Sequence, residues 1–309
     1  MSDSSQISGI LESTVAYAGP MLWAGCGELV SQRAGVINIE LEGMMLAGAF
    51  ASAWATYMTG NLLLGIAAGA ACGVLVAAIQ GIVALVAGAN QVLSGILLYT
   101  LVLGGTTVGG ILVTGGDIRV TGLGNVAIPG LSKIPIVGPA LFDQNWMVYA
   151  LVLAVVALWL FSKYARTWLK LGAVGERPTV ADGFGIRVNL VRWAVLIFCG
   201  AMAGLGGAQF TLGTVGVFST DVTAGIGYIA LAAVVVGGWR IGGVVVAIVV
   251  FGAAEAIGVR AQVLHTGIPY EVYDMLPYLV TVIATALRFG RSRPPAALGK
   301  NYRRGELLA

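Results

Sequence analysis

Charged residues are scarce in this sequence. Only 10% of its 309 residues are Asp, Glu, Lys or Arg, whereas an ordinary soluble domain carries about 25%. A chain so poor in charge cannot cover the surface of a soluble fold of this size. Its apolar segments are long enough to cross a bilayer core of about 30 Å, which takes about 20 helical residues. We therefore predict an integral membrane protein.

Histidine, cysteine and the common catalytic motifs are almost absent as well. His265 falls in a predicted outer loop, and Cys26, Cys72 and Cys199 lie in apolar segments without metal-type spacing. The sequence has no G-x-x-x-x-G-K-[ST] loop and no G-x-S-x-G motif. We expect no metal site, no ATP site and no enzymatic activity in this chain. No feature of the sequence favours a nucleic-acid partner, and we expect membrane lipid and proteins instead.

Long apolar runs, separated by short helix-breaking gaps, dominate the sequence. This pattern predicts an all-α, polytopic transmembrane helical bundle of about nine spans rather than a barrel. The seventh segment is short and bounded by glycine, which favours a broken or partly re-entrant helix. The nine predicted segments are 14–30, 36–58, 62–87, 92–113, 146–163, 193–215, 224–238, 244–262 and 273–289.

The positions of the basic residues predict the orientation. Most of the 17 lysines and arginines fall on one side of the membrane if the N-terminus is outside and the C-terminus is cytoplasmic, as the positive-inside rule requires. We divide the chain into a transmembrane domain, 1–290, and a basic cytoplasmic tail, 291–309. The connection 114–145 is then external, and its glycines and prolines indicate a solvated lid or plug.

Small residues recur at helical spacing in two segments. Gly65, Gly69 and Gly73 share one helix face, and Gly200 and Gly204 repeat the spacing. Such faces let helix backbones approach closely in lipid. We interpret them as packing surfaces and not as ligand sites.

Polar side chains inside the predicted spans are the first functional candidates, because they are costly there. Asn38, Glu40 and Glu42 stand at the head of the second segment, after Glu28 at the end of the first. They are best explained as structural groups that accept backbone amides and fix the turn between two spans, while contact with substrate or with a cytoplasmic partner remains open. Glu255 is expected to pair with Arg260.

A second set of polar residues is a candidate for a substrate pathway. Asn90, Gln91 and Ser94 stand at the start of the fourth span, and Gln209 lies deep in the sixth. None of these positions is specific by itself.

Several stretches resemble one family of membrane proteins. The sequence "GELVSQRAGVINIELEGMMLAGAFAS" resembles the N-terminal signature of permeases of ATP-binding-cassette (ABC) importers. "AGANQVLSGILL" resembles a second motif of the nucleoside and simple-sugar branch, with Gln91 in place of an acidic residue. "VGERPTVADGFGIRVNLVRW" is similar to the loop that docks the ATPase, and the stretch 203–256 is similar to the C-terminal half of these permeases. The resemblance covers nearly the whole chain and includes the wider superfamily of ribose and branched-chain amino acid permeases.

The resemblance implies a set of partners and a coupling loop. A permease of this kind lies in the cytoplasmic (inner) membrane of a bacterium, pairs with a second, related but non-identical permease, and receives solute from an extracytoplasmic binding protein. ATP is bound by a cytoplasmic ATPase. The coupling loop spans about 164–192; on charge alone it would be a plain positive-inside anchor. The residues that the resemblance assigns to it are Gly175, Glu176, Arg177, Ala181, Asp182, Gly183, Gly185 and Ile186.

The leading interpretation is therefore ATP-driven import of nucleosides or related small solutes by alternating access. Ribose-like sugars or branched-chain amino acids are alternative solutes for the same type of importer. An ion-coupled secondary carrier is an alternative of another class, which the glutamates within the spans keep open. No motif favours a purely structural or sensing subunit.

Overall fold

A computed structural model describes residues 3–263, 272–273, 275–288 and 293–303 of the chain. Its helices, in chain order, are α1 (Asp3–Arg33), α2 (Leu41–Thr59), α3 (Leu62–Gly81), α4 (Gln91–Thr114), α5 (Val137–Phe142), α6 (Trp146–Tyr164), α7 (Arg166–Glu176), α8 (Pro178–Gly183), α9 (Val188–Gln209), α10 (Ile226–Val236), α11 (Ile241–Val263) and α12 (Leu276–Arg288). Short π-helical stretches extend α3 over Ile82–Val86 and α9 over Phe210–Val215. The predicted all-α helical architecture is confirmed.

Asparagine and glycine mark the ends of the long helices. The side chains of Asn61 and Asn90 each accept two amide hydrogen bonds in the first turns of α3 and α4, which satisfies donors that a helix leaves unpaired. Gly60 ends α2 at a φ of 68°, and Gly115 ends α4 at 81°, a conformation that glycine adopts without strain. These local signals explain why the third and fourth predicted segments coincide with helices.

The centre of the bundle consists of α1, α2, α3, α9, α10 and α11, which pack on one another. Helices α4 and α6 lie at its periphery, and most of their apolar side chains face outward; Leu112 on α4 is 80% exposed and Leu153 on α6 is 71% exposed. Apolar surface on this scale is unfavourable in water and suits contact with lipid or with another membrane subunit.

Glycines set the distance between α3 and its neighbours. A Cβ added at Gly69 would lie 2.9 Å from the carbonyl oxygen of Gly48, and one at Gly73 would collide with the carbonyl of Gly200. A Cβ at Gly204 would in turn collide with the carbonyl of Gly69. The predicted packing role of these glycine faces is confirmed, since α3 touches both α2 and α9 through backbone atoms.

A proline interrupts the hydrogen bonding of α1. Pro20 has no amide hydrogen, so the carbonyl of Ala16 loses the bond that a residue four positions on would donate. The Thr214 hydroxyl, from the π-helical stretch after α9, donates to this carbonyl at 3.2 Å. The irregular end of α9 therefore supplies a partner that α1 itself lacks.

The connection 114–145 contains strands of two small antiparallel sheets. Strand β1 (Ile118–Arg119) pairs with β4 (Val217–Phe218), and β2 (Asn125–Ala127) pairs with β3 (Asp143–Asn145). Ile118 and Phe218 are buried in a cluster with side chains of α2. The β1–β4 pairing thus ties the start of the connection to the segment after α9, and the β2–β3 pairing folds the rest of the connection on itself.

Five helical segments of the described chain are long and apolar enough to cross a membrane: Leu62–Val86, Gln91–Thr114, Trp146–Tyr164, Val188–Val215 and Ile241–Ala261. Helix α10 has only 11 residues, about 16 Å of helix, or roughly half of a bilayer core. The expectation of a short, broken helix at 224–238 agrees with this length. The count of about nine spans is not confirmed, and His265 lies outside the described residues.

Candidate functional site

Helices α7 and α8 form the connection between α6 and α9. Helix α7 buries Trp168, Leu171 and Val174 against the bundle, and the guanidinium of Arg33 lies 5.0 Å above the ring of Trp168. Its remaining residues are largely exposed, so α7 is an amphipathic helix lying on the end of the bundle. Pro178 is the first residue of α8, the position at which its missing amide costs nothing.

The predicted coupling residues divide into an inner and an outer set. Gly175 is buried and so close to α1 that a Cβ there would collide with the carbonyl of Arg33. Ala181, on α8, is buried, whereas Asp182 and Ile186 are half-buried. The exposed members are Glu176, Arg177, Gly183 and Gly185. One face of α8 is therefore packed against the bundle, and the opposite face is exposed.

The most exposed large apolar side chain of this region is one that sequence reasoning missed. Phe184, at the end of α8, is 83% exposed, and Val180, one helical turn before it, is 48% exposed. Contiguous exposed apolar patches mark interaction sites, whereas single exposed apolar residues are common, and Phe184 and Val180 together are a candidate for such a patch. The available signal was the one aromatic residue, Phe184, in the stretch "VADGFGIR".

The turn between α1 and α2 is built around a buried carboxylate. Glu28 Oε1 accepts hydrogen bonds from the Asn38 amide at 3.2 Å and from Gln32 Nε2 at 2.8 Å. Glu28 Oε2 accepts from Asn38 Nδ2 at 2.6 Å. The same Nδ2 group lies 2.8 Å from the Ser31 hydroxyl and 3.3 Å from the Cys199 sulfur on α9. Asn38 therefore joins the turn to Glu28 and Ser31, and its assignment as a structural group stays a prediction.

Glu42 has a different function from the one expected. Its carboxylate accepts hydrogen bonds from the Thr223 hydroxyl, from the Gly225 amide at 2.9 Å and from the Gly227 amide at 2.5 Å. These amides belong to the N-terminal turn of α10, where a negative charge also meets the positive end of the helix dipole. Glu42 fixes α10, 181 residues or more away in sequence, and not the turn beside it; sequence spacing gave no sign of this contact.

Glu40 does not accept the amides of its own helix either. It stands at the N-cap position of α2, but its side chain makes no capping hydrogen bond. The residue is fully buried, and neither carboxylate oxygen has a hydrogen-bond partner among the described residues. The carboxylate lies against α4, since a Cβ added at Gly95 would come within 2.8 Å of Oε2. The expected capping by Glu40 is therefore wrong.

Gln91 and Ser94 belong to a buried network at the start of α4. Gln91 Oε1 accepts a hydrogen bond from the Ile37 amide at 3.1 Å. Gln80 Nε2 donates to the Gln91 carbonyl at 3.2 Å and to the Ser94 hydroxyl at 3.0 Å. Asn90 is exposed and caps α4. These contacts join the α1–α2 and α3–α4 turns, and the assignment of the three residues to a substrate pathway stays a prediction.

Two further polar residues lie on α9 and α11. Gln209 is fully buried at the junction of α9 with its π-helical extension, and its side-chain amide faces α1 at Gly19. Both of its polar atoms lack partners among the described residues, which is costly in a core unless a group binds there. Glu255 is half-buried on α11, and its pairing with Arg260 stays a prediction. Nowhere in the described residues do three His, Cys, Asp or Glu side chains form a group suited to a metal ion.

Comparison with known proteins identifies relatives along the whole chain. Residues 10–285 match the family described as "Branched-chain amino acid transport system / permease component". A putative glucose ABC transporter permease, TsgC13 of Haloferax volcanii, is 33% identical over 96% of this chain and 98% of its own. The guanosine ABC transporter permease NupQ of Bacillus subtilis is 32% identical over 97% and 98%. The nucleoside ABC transporter permease NupC of Lactococcus lactis is 31% identical over 95% and 96%.

Bacillus subtilis and Lactococcus lactis each contain a second relative, with a lower sequence identity to this chain. NupP of Bacillus subtilis is 26% identical over 89% of this chain and 82% of its own. NupB of Lactococcus lactis is 25% identical over 88% and 76%. No solved structure matches the chain.

Proposed function

The chain belongs to the family of permease components of branched-chain amino acid transport systems, and we propose from this premise that it is a membrane subunit of an ABC importer for nucleosides or related small solutes. It is a multi-pass membrane protein, and its family consists of transport permeases and not of enzymes. The premise covers most of the chain, because the match runs from the first turns of α1 into α12.

The observation that supports ATP-driven transport best is the shape of the connection α7–α8. Its inner side is fixed on the bundle through Gly175 and Ala181, while Phe184 and Val180 project from its outer side. A cytoplasmic ATPase that binds Phe184 would move α8, and the backbone contact at Gly175 would pass this movement to the end of α1. Two helices of 11 and six residues are short enough to move as rigid pieces.

A second, non-identical permease is the partner that the relatives support. Bacillus subtilis and Lactococcus lactis each contain two related permeases, and this chain resembles one member of each pair more than the other. The exposed apolar side chains of α4 and α6 offer surface for such a subunit as well as for lipid. An extracytoplasmic binding protein would deliver the solute, and the N-terminus would lie outside with the C-terminus in the cytoplasm.

The solute pathway would run beside the short helix α10. A helix that reaches only about half of a bilayer core leaves non-helical backbone inside the membrane, which proteins tolerate only where it is buried or lines a cavity. Glu42 and Thr223 hold the start of α10, and the unpaired amide of Gln209 is a candidate group for solute. Asn90, Gln91 and Ser94 would lie nearer the cytoplasmic mouth of the same pathway.

The secondary-carrier alternative loses part of its support here. It depended on carboxylates within the spans that were free to bind coupling ions. Glu28 and Glu42 instead accept hydrogen bonds from a turn and from a helix terminus, which are structural tasks, whereas Glu40 makes no such bond among the described residues.

A sugar is the second candidate solute, because a putative glucose permease is among the most similar relatives. Uptake of labelled guanosine in cells with and without the gene tests the choice. We expect uptake to fall in the deletion strain, to return with the intact gene, and to be inhibited by unlabelled nucleosides but not by glucose, ribose or leucine. Unchanged guanosine uptake in the deletion strain, with lost uptake of glucose, would favour the sugar instead.

A further inference from the structure

The tail segment 293–303 lies across the end of the bundle that carries α7 and α8. The Ala297 amide donates a hydrogen bond to the Gly175 carbonyl at 2.9 Å, and the Gly299 amide donates to the Gly35 carbonyl at 3.1 Å. Gly175 belongs to α7, whereas Gly35 belongs to the turn between α1 and α2. Both bonds use backbone atoms, so the path of the tail itself connects the coupling connection with that turn.

The same segment reaches the turn between α3 and α4 through one side chain. Asn301 Nδ2 donates hydrogen bonds to the carbonyls of Gly88 and Ala89 at 2.7 and 2.9 Å. Asn301 Oδ1 accepts one from Gln91 Nε2 at 3.3 Å. Gln91 also binds the Ile37 amide. Asn301 thus links the tail to the first residue of α4 and, through it, to the α1–α2 turn.

A buried cation fixes the segment to α9. Arg192, in the first turns of α9, is only 1% exposed, although its position in a basic connection predicted a solvated anchor. Its Nη1 group donates a hydrogen bond to the Lys300 carbonyl at 2.7 Å. Its Nη2 group lies beside Gly35, where an added Cβ would be 3.0 Å away. Since a buried charge is costly unless it is hydrogen-bonded, the tail carbonyl and Arg192 stabilise each other's position.

We infer that the segment 293–303 is a strap that transmits movement of α7 and α8 to the starts of α4 and α9, with Asn301 and Arg192 as positioning residues for transport. This inference rests on the proposed function, because it is the ATPase that would move α8. Without the strap, α8 would move while α4 and α9 stay behind. ATP would then be hydrolysed with little movement of solute.

The experiment uses the complete transporter, with its second permease, ATPase and binding protein, reconstituted in vesicles. It measures labelled nucleoside transported per ATP hydrolysed. In Asn301→Ala we expect this ratio to fall about tenfold or more, because all three hydrogen bonds of the side chain are lost and each is worth a several-fold change in an equilibrium. The rate of ATP hydrolysis should stay within about twofold of wild type.

Lys300→Ala is the matched control. The Lys300 side chain is exposed, and only its backbone carbonyl binds Arg192, so this variant keeps the strap and should keep the wild-type ratio. Arg192→Ala should lower the ratio as Asn301→Ala does, and Arg192→Lys should restore part of it because an ammonium group can still donate to the carbonyl.

Two outcomes would overturn the inference about the strap, and a third would overturn the proposed function. A wild-type ratio in Asn301→Ala contradicts the strap. A parallel fall of transport, ATP hydrolysis and melting temperature in Asn301→Ala identifies a merely structural contact and also contradicts it. Wild-type vesicles without any ATP-dependent uptake would refute the proposed function itself, whereas normal wild-type uptake with unaffected variants refutes the strap alone.

Discussion

The contact between Glu42 and α10 gives the most specific stability prediction. One carboxylate oxygen, Oε1, accepts from the Thr223 hydroxyl and the Gly225 amide, and the other, Oε2, accepts from the Gly227 amide. Glu42→Gln keeps the size of the side chain but replaces one oxygen with an NH2 group. At least one donor of α10 then faces another donor, and the negative charge at the helix N-terminus is lost.

The expected cost follows from these bonds. A hydrogen bond to a charged group contributes about 1.5–3 kcal/mol, and a buried donor left unpaired costs a similar amount. We expect Glu42→Gln to lower the free energy of unfolding by about 2–3 kcal/mol, which is about 3–5 °C in melting temperature for a chain of this length. Thr223→Val, which removes one donor only, should cost about 1 kcal/mol.

Thermal unfolding of the purified chain in detergent, followed by the fluorescence of a thiol-reactive dye at the buried cysteines, measures the effect. Glu12→Gln is the matched control, because Glu12 is an exposed glutamate on α1, and it should leave the melting temperature unchanged. A wild-type melting temperature for Glu42→Gln would refute the conclusion that this carboxylate holds α10.

Three further substitutions test other parts of the structure. Phe184→Ala should weaken binding of the ATPase about tenfold or more in a pull-down with varied ATPase concentration, since burial of a phenylalanine contributes about 1.5–3 kcal/mol. The control is Leu190→Ala, at another exposed apolar residue of the same region, which should have little effect. Equal binding by both variants would contradict the docking role of Phe184. Gly69→Leu should separate α3 from α2 and α9 and lower the melting temperature by about 5 °C or more, and a wild-type value would contradict the backbone contact. Glu40→Gln should keep or raise the melting temperature, because it removes a buried charge without partners; a loss as large as that of Glu42→Gln would mean that Glu40 has a partner.

Local chemistry made much of the fold predictable. Asn61 and Asn90 cap helices that begin one residue later, and Pro178 starts α8 at a position where its missing amide costs nothing. The four-residue spacing of Gly65, Gly69 and Gly73 was enough to predict a packing face. In each case the signal and its structural effect lie within a few residues of each other.

The roles of the buried polar groups could not be predicted in the same way. Glu42 binds donors 181 to 185 residues away, and Arg192 binds a carbonyl 108 residues away. Sequence spacing predicted that Glu40 and Glu42 would serve their own turn, but distant segments fold against them and decide their partners. The contacts of the tail at Asn301 escaped notice for the same reason, since a basic terminal segment has the composition of a solvated one.

The energy source of transport is the central claim, and one measurement tests it directly. The purified chain is placed in vesicles alone, or together with its second permease, ATPase and binding protein, and labelled guanosine uptake is followed with ATP or with proton and sodium gradients. We predict uptake against a gradient only for the complete assembly with ATP. Accumulation of guanosine by the chain alone, driven by an ion gradient, would contradict the account.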